Sequence, residues 1–334
     1  MARSFGPGEP IGVARKVLMT DHPWPDVEVE QSILATVPAE LIVPPAADVE
    51  SLTAAARDVD AIMTCWAKVP EQVIAASPRC RIVARMGVGL DNIDVPAATA
   101  RKILVTNVPD YCMEEVAEHA LALMLALGRK VAWYHLQTKS GRYDLNDGPP
   151  LRRLAGKTLG IVGLGTIGRR VAAKALGLGL NVLAADPRPG LPLPGVTLCE
   201  LDELLSRSDY ISLHLPLNAA TRHLISAEQF RRMKPTAYLI NTARGGLVDS
   251  DALAAALVEG RLAGAALDVQ ETEPPDLSRP PYNDPRVVVT PHASFLSEES
   301  LLELRQRVAQ QVADALLGRR PPHVINPEVL ADCS

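Results

Sequence analysis

A chain of 334 residues, 47% hydrophobic and 22% charged with a net charge of −5, is too long for one ordinary core and matches about two globular domains. It has no basic stripe or polybasic segment, so neither nucleic acid nor an anionic membrane surface is an expected partner. Its longest strongly apolar run, 120–127, is too short to span a bilayer. The five cysteines are an odd number at wide spacing with no Cys-x-x-Cys. That argues against a disulfide framework or a zinc site, no metal is expected, and a reduced cytoplasmic setting fits best. Residues 1–11 are polar and rich in Gly and Pro, unlike a signal peptide.

Residues 1–14 read as a flexible tail. Short apolar runs follow at 16–20, 40–43, 60–64, 81–85 and 103–107, with helical stretches such as 49–57 and 70–76 between them. Strands alternating with helices predict a parallel α/β sheet. No Gly-rich turn follows the first strand, so this first unit is not an obvious nucleotide binder. Residues 113–140 carry a long helical pattern, apolar around much of the surface, which suits deep burial or an interface. Residues 141–153 are polar, with Gly-Pro-Pro at 148–150, and read as an exposed arm.

A second α/β unit starts at Leu159. Its predicted strands are 159–163, 181–185, 210–215, 237–241, 263–269 and 286–290. Ser226 and Gln229 have the spacing of a capping box. Leu301, Leu304, Val308, Val312 and Leu316 keep amphipathic helical spacing, and Gly318 ends that helix.

The most informative segment opens this second unit. An apolar strand enters Gly-x-Gly-x-x-Gly at Gly163, Gly165 and Gly168, a helix follows, and a second strand ends on Asp186. This order is the dinucleotide fingerprint of a βαβ unit. The three glycines serve the tight turn, backbone approach to a pyrophosphate and close helix packing. The helix N-terminus faces the pyrophosphate, and Asp186 takes the adenosine ribose hydroxyls. An acid there repels a 2′-phosphate, which favours NAD over NADP, although Arg188 could soften the preference.

Three later strand ends carry polar groups where ligands bind in such sheets. They are Asn241-Thr242-Ala243-Arg244-Gly245-Gly246, Leu267-Asp268-Val269-Gln270-Glu271-Thr272-Glu273 and Thr290-Pro291-His292-Ala293-Ser294. A guanidinium suits a carboxylate or carbonyl oxygen. A His near an acid and an Arg, facing a nicotinamide, is what reversible hydride transfer at a carbinol needs. Taken singly, each segment is equally a surface loop.

In this order the motifs resemble those of the D-isomer-specific 2-hydroxyacid dehydrogenases, from about residue 16 to 326. Arg85-Met-Gly-Val-Gly-Leu-Asp-Asn-Ile-Asp94, Asn107-Val-Pro-Asp110 and Val116-Ala-Glu-His119 add to the likeness. Arg85-Met-Gly-Val-Gly, Gly-Ala-Ala-Leu-Asp-Val-Gln-Glu-Thr-Glu-Pro and Pro-His-Ala-Ser-Phe-Leu-Ser-Glu lean toward the branch that holds the C-terminal-binding-protein corepressors and many bacterial dehydrogenases.

The resemblance implies two Rossmann-like or flavodoxin-like α/β domains with parallel sheets. An NAD-binding domain at 109–296 is inserted into a substrate domain made of 1–108 and 297–334, to which a terminal helix at about 297–317 returns. The active site is expected in the cleft between domains, and a homodimer through the long helix near 113–140. Arg244 is implied to bind the substrate carboxylate and polarise the keto oxygen, His292 to act as acid in reduction and base in oxidation, and Glu273 to orient His292. Arg85, Val88 and Gly89 would meet the acidic end of the substrate, with Phe295 on its wall. Thr166 and Ile167 would cover the pyrophosphate, and Leu215, Pro216 and Thr221 would border the adenosine half. Thr242, Ala243, Asp268 and Ser294 would line the nicotinamide side.

Two positions depart from the pattern. Ser250 stands where the family often has Glu, a change expected to touch helix capping more than chemistry. Phe295 replaces the Trp of the corepressor branch, which alters the substrate wall. Glu273, in place of the Gln of formate dehydrogenases, argues against formate. The expected activity is NAD-dependent interconversion of a 2-keto acid and a D-2-hydroxy acid. The alternatives are an NAD(H)-sensing corepressor-like protein, or a dehydrogenase for a phosphonate or phosphorylated hydroxy acid.

Overall fold

The computed structural model describes residues 15–146 and 148–331, and the elements counted are those of these residues. The tail expected at 1–14 lies outside them. Two compact units divide the chain: one runs up to Tyr111 and resumes at Ser297, and the other runs from Cys112 to Leu296.

The first unit alternates β1 (Arg15–Met19), α1 (Glu28–Leu34), β2 (Ala39–Ile42), α2 (Val49–Ala55), β3 (Ala61–Thr64), α3 (Glu71–Ala75), β4 (Ile82–Arg85), α4 (Val95–Ala100) and β5 (Leu104–Thr106). The strands pair in parallel in the order β2-β1-β3-β4-β5. Central strands of such a sheet are covered on both faces, so they read as continuous apolar runs. Val17, Leu18, Met19, Ile62, Met63, Ile82 and Val83 are all fully buried.

In the second unit come α5 (Met113–Arg129), α6 (Val131–Lys139), β6 (Thr158–Val162), α7 (Thr166–Gly177), β7 (Asn181–Ala185), β8 (Val196–Leu198), α8 (Leu201–Arg207), β9 (Tyr210–Leu213), α9 (Ala227–Arg232), β10 (Tyr238–Asn241), α10 (Ser250–Val258), β11 (Gly264–Leu267) and β12 (Val287–Val289). Its parallel sheet runs β12-β11-β10-β9-β6-β7-β8. Strand order reverses at β6, whose Val162 pairs with Ala185 on one side and Leu213 on the other. That reversal opens a crevice at the carboxyl ends of β6 and β9. Gln229 accepts from the Ser226 amide at 3.2 Å and from its hydroxyl at 2.7 Å, closing the start of α9.

The single helix expected at 113–140 is two helices. Lys130, at φ 56°, takes the left-handed conformation and ends α5. The break has a packing cause. A side chain at Gly128 would overlap the Tyr210 hydroxyl, and the Lys130 ammonium lies 4.6 Å from the centre of the Tyr238 ring. The end of α5 is thus drawn onto the stacked Tyr210–Tyr238 pair, and α6 leaves in a new direction with no buried residue of its own. Edge strand β8 was not expected, because its three residues follow a Pro- and Gly-rich stretch and only one of them is half-buried.

The chain returns to the first unit as α11 (Glu298–Leu316), followed by α12 (Glu328–Ala331). One buried ion pair fastens α11 to α1. Arg305 donates from Nε and Nη2 to the two Glu30 carboxylate oxygens, each at 2.8 Å. Its Nη2 also reaches Asp26 at 2.9 Å, and the guanidinium stacks over Trp24. Glu30 is fully buried, so the pair is costly to break and cheap to replace as a whole. Arg305→Met should lower unfolding stability by about 3–5 kcal/mol, measured by urea denaturation, and adding Glu30→Leu should restore most of it.

Candidate active site

Around the β6 turn, each glycine answers a steric demand. Gly163 sits at φ +94°, and a Cβ there would strike the His214 carbonyl. A Cβ on Gly168, in the first turn of α7, would overlap the Gly163 carbonyl oxygen. Around Gly165 nothing lies within 4 Å of where a Cβ would stand. Gly165 is also the N-cap of α7, so no side chain there takes the free amides of Thr166 and Ile167, and no acid occupies the first turn. Open space, unsatisfied amides and a positive helix end suit a pyrophosphate. Asp186, just past β7, accepts from the Leu164 amide at 2.7 Å and from the Arg188 amide at 2.7 Å. It therefore braces the turn from the strand where a ribose would lie. After β9, Thr221 donates to the Pro216 carbonyl at 2.7 Å and accepts from the Asn218 amide at 2.8 Å, which closes the loop beyond Leu215. The residues present fit a dinucleotide.

Beyond β10 the backbone is shaped by Asn241, which is buried. Its Nδ2 donates to the Arg244 carbonyl at 2.9 Å and its Oδ1 accepts from the Ala243 amide at 3.0 Å. Together these fold Thr242, Ala243 and Arg244 into a tight loop. A Cβ on Gly245 would overlap the Gln270 carbonyl carbon. Glycine there lets the Arg244 loop lie directly against the loop that follows β11.

That second loop carries Asp268 and Glu273. Asp268 is fully buried. Its Oδ1 accepts from Thr290 Oγ1 at 2.6 Å and the Ala293 amide at 2.9 Å, and its Oδ2 from the Ser294 amide at 2.9 Å. His119, from α5, places Nε2 3.4 Å from Oδ1. Burial on its own raises the Asp268 pKa, but the bonds from His119, Thr290, Ser294 and Ala293 outweigh it and hold the group well below the ordinary carboxylate value. The Asp268 carbonyl also accepts the His292 amide at 2.8 Å. One residue thus clasps both sides of a turn in which His292 stands at φ +53°, a conformation that costs a non-glycine residue roughly 1 kcal/mol.

On this turn His292 Nδ1 lies 2.8 Å from Glu273 Oε2. The other Glu273 oxygen accepts the Gln270 amide at 3.0 Å. Burial pushes the Glu273 pKa up, while His292 and, more weakly, Arg244 pull it down, and the net effect is a lowering. With Nδ1 held by the carboxylate, Nε2 is the ring atom left to exchange a proton. Phe295 sets its ring edge-on to His292, centroids 6.3 Å apart.

Arg85, Val88 and Gly89 stand in the first unit, at and just after the carboxyl end of β4. Arg85 donates to the Met86 carbonyl and lies across Gly87, where a Cβ would meet its guanidinium. The Val88 carbonyl accepts from Asn107 Nδ2 at 2.7 Å.

Several residues outside the expected set hold this arrangement. Asn241, Gln270 and Thr290 shape the loops from within, and His119 reaches Asp268 from a distant helix. Glu271 joins three loops: it meets His223 Nε2 at 2.6 Å and accepts the Ser250 amide at 3.3 Å. The cap of α10 is Asp249, which accepts from the Ala252 amide at 3.0 Å. Ser250 is thus flanked by the capping Asp249, while its amide is taken by Glu271 from across the loop junction. Only polar residues beside strand ends could have pointed to these partners, since the pairing is set in three dimensions.

Asp268→Asn would turn amide hydrogens toward the donors that now face a carboxylate. The substitution should cost about 3 kcal/mol of stability at neutral pH. Because the native pKa is depressed, the contribution of Asp268 is complete above its unfolded value of about 3.9 and is lost as pH falls toward the native value. Thermal unfolding of the two proteins should therefore differ by a constant amount from pH 8 to pH 5 and converge in stronger acid.

Comparison with known proteins identifies the family. Residues 121–294 match the model of the D-isomer specific 2-hydroxyacid dehydrogenase NAD binding domain. The chain is 41% identical over 285 residues to a glyoxylate reductase of Korarchaeum cryptofilum, covering 82% of this chain and 85% of that protein. It is 42% identical to the D-3-phosphoglycerate dehydrogenase of Mycobacterium leprae, covering 84% of this chain but 53% of that protein. The chain thus spans about half the length of that phosphoglycerate dehydrogenase. Among solved structures, the D-lactate dehydrogenase of Aquifex aeolicus with NAD and lactic acid is 29% identical, with a TM-score of 0.83 over 93% of this chain and 99% of that one. The chain belongs to the D-isomer specific 2-hydroxyacid dehydrogenases, oxidoreductases that use NAD at the carbinol carbon of a 2-hydroxy acid.

Proposed function

We propose that the protein reduces a small 2-keto acid to the D-2-hydroxy acid, or runs the reverse reaction, with His292 moving the proton. The observation that carries this reading is the 2.8 Å His292–Glu273 pair, on a turn clasped by Asp268, at the same sheet edge as the Arg244 loop. NAD(H), when bound, supplies or takes up the hydride at C2 of the substrate. Arg244 binds the substrate carboxylate and polarises the keto oxygen, as a fixed guanidinium does well. His292 gives its Nε2 proton to the forming alkoxide in reduction and takes it back in oxidation. Glu273 fixes the ring through Nδ1. Arg85, with Val88 and Gly89, is assigned to the acidic end of the substrate, and Phe295 to its side-chain wall. Asp186 favours an unphosphorylated ribose, hence NAD over NADP.

Glyoxylate, pyruvate and hydroxypyruvate, followed by NADH absorbance, are the first substrates to test, with phosphonate analogues beside them. His292→Ala should reduce turnover by about 10²–10⁴-fold and leave NADH binding, read by fluorescence, intact. Unchanged turnover would sink the assignment.

A homodimer through α5, α6 and the arm after α6 is the second part of the proposal. Val131 is 59% exposed, Leu136 64%, Tyr143 93% and Leu145 88%. Beside them runs a groove lined by Trp133, Pro150, Arg286 and Val288. Apolar side chains gathered in this way mark association surfaces. The setting proposed is the reducing cytoplasm, in which Cys65 and Cys80 stay as buried free thiols. Light scattering should report a dimer, and Val131→Glu with Leu136→Glu should yield a monomer; a monomeric parent would refute the interface.

A further inference from the structure

His119 stands outside the predicted machinery, yet its ring lies at the end of a chain of hydrogen bonds that runs to the His292 turn. Its Nε2 is 3.2 Å from Thr290 Oγ1, and Thr290 Oγ1 is 2.6 Å from Asp268 Oδ1. The direction of these bonds follows from chemistry. A carboxylate only accepts, and a threonine hydroxyl has one proton to give. Thr290 gives that proton to Asp268, so the hydroxyl turns a lone pair toward His119, and Nε2 must carry a hydrogen. The donor chain therefore reads His119 to Thr290 to Asp268. The same Nε2 stands 3.4 Å from Asp268 Oδ1, near enough to offset the buried charge.

We propose that His119 is a positioning residue for the reaction, acting on the His292 turn through Thr290 and Asp268. The proposal rests on His292 being the acid and base. Asp268 sets that turn through Ala293 and Ser294 beyond the histidine, Thr290 before it, and the His292 amide itself. With the donor from α5 removed, Thr290 Oγ1 loses the hydrogen bond it accepts and the Asp268 charge is left undercompensated. The carboxylate then recruits water or rotates, and the left-handed backbone at His292 loses the clasp that holds it. Arg244 sits on another loop, shaped by Asn241. Substrate binding is therefore separable from placement of the imidazole.

The test compares His119→Phe, His119→Gln and His292→Ala in the full-length protein, with glyoxylate, pyruvate and hydroxypyruvate as probes. His119→Phe should lower kcat by about 10- to 100-fold, the size of effect that small misplacements of reacting groups produce. KM for the keto acid should stay within about twofold, since the Arg244 loop does not depend on this contact. The Gln side chain can set an amide N–H near the position of Nε2, and His119→Gln should recover most of kcat. A role confined to stability would lower the melting temperature without separating kcat from KM. Should His119→Phe not fold, His119→Asn, too short to reach Thr290, stands in its place. His119→Phe with parental kcat, or His119→Gln as slow as His119→Phe, overturns the proposal. If His292→Ala is inactive in that case, the acid/base reading stands and only the positioning role falls. An active His292→Ala overturns both.

Discussion

A buried carboxylate needs donors, and Asp268 draws them from one short stretch of chain. Thr290, Ala293 and Ser294 give side-chain and backbone hydrogens to it, and the His292 amide is taken by its carbonyl. The left-handed conformation at His292 persists because these bonds over-determine it. Desolvation is thus turned into geometry: the cost of hiding one charge is offset only when the turn carrying the imidazole takes a single shape. The Glu273–His292 pair and the edge-on Phe295 follow from that shape.

A second constraint acts between neighbouring loops. Gly245 lets the backbone after β10 rest on the backbone after β11, which brings the Arg244 loop against the loop that carries Glu273. Glu271 ties the same junction to His223 and to the start of α10. The nucleotide end of the sheet is built on the same logic. Gly163 and Gly168 leave out side chains where two backbones meet, and Asp186 bonds back into the turn it faces. The sheet edge works as a set of mutually braced turns on rigid parallel strands.

Much of this was readable from sequence. Parallel strands covered on both faces announce themselves as apolar runs, so both sheets could be anticipated, whereas the inserted order was implied only by the family resemblance. The glycine turn was legible because each missing side chain serves a local demand. Arg244, Glu273 and His292 stood out as polar residues just beyond buried strands. What escaped was whatever depends on a distant partner. Lys130 has no local left-handed signal, and α5 ends there because Tyr210 and Tyr238 hold its last turn. Strand β8 is too short and too exposed to show a period. His119 stood in a segment that carried the family likeness, but its partners Thr290 and Asp268 show only in three dimensions.

The split first unit has a consequence for how the molecule is made. Its sheet is finished by Thr106, but α11, with Arg305 on Glu30, arrives only after the whole second unit. Domains fold as units during synthesis, from the N-terminus onward. A chain leaving the ribosome therefore holds a bare Glu30 and an uncovered sheet while the nucleotide-binding unit completes itself. The middle of the chain matures first, and the unit built from its two ends closes last.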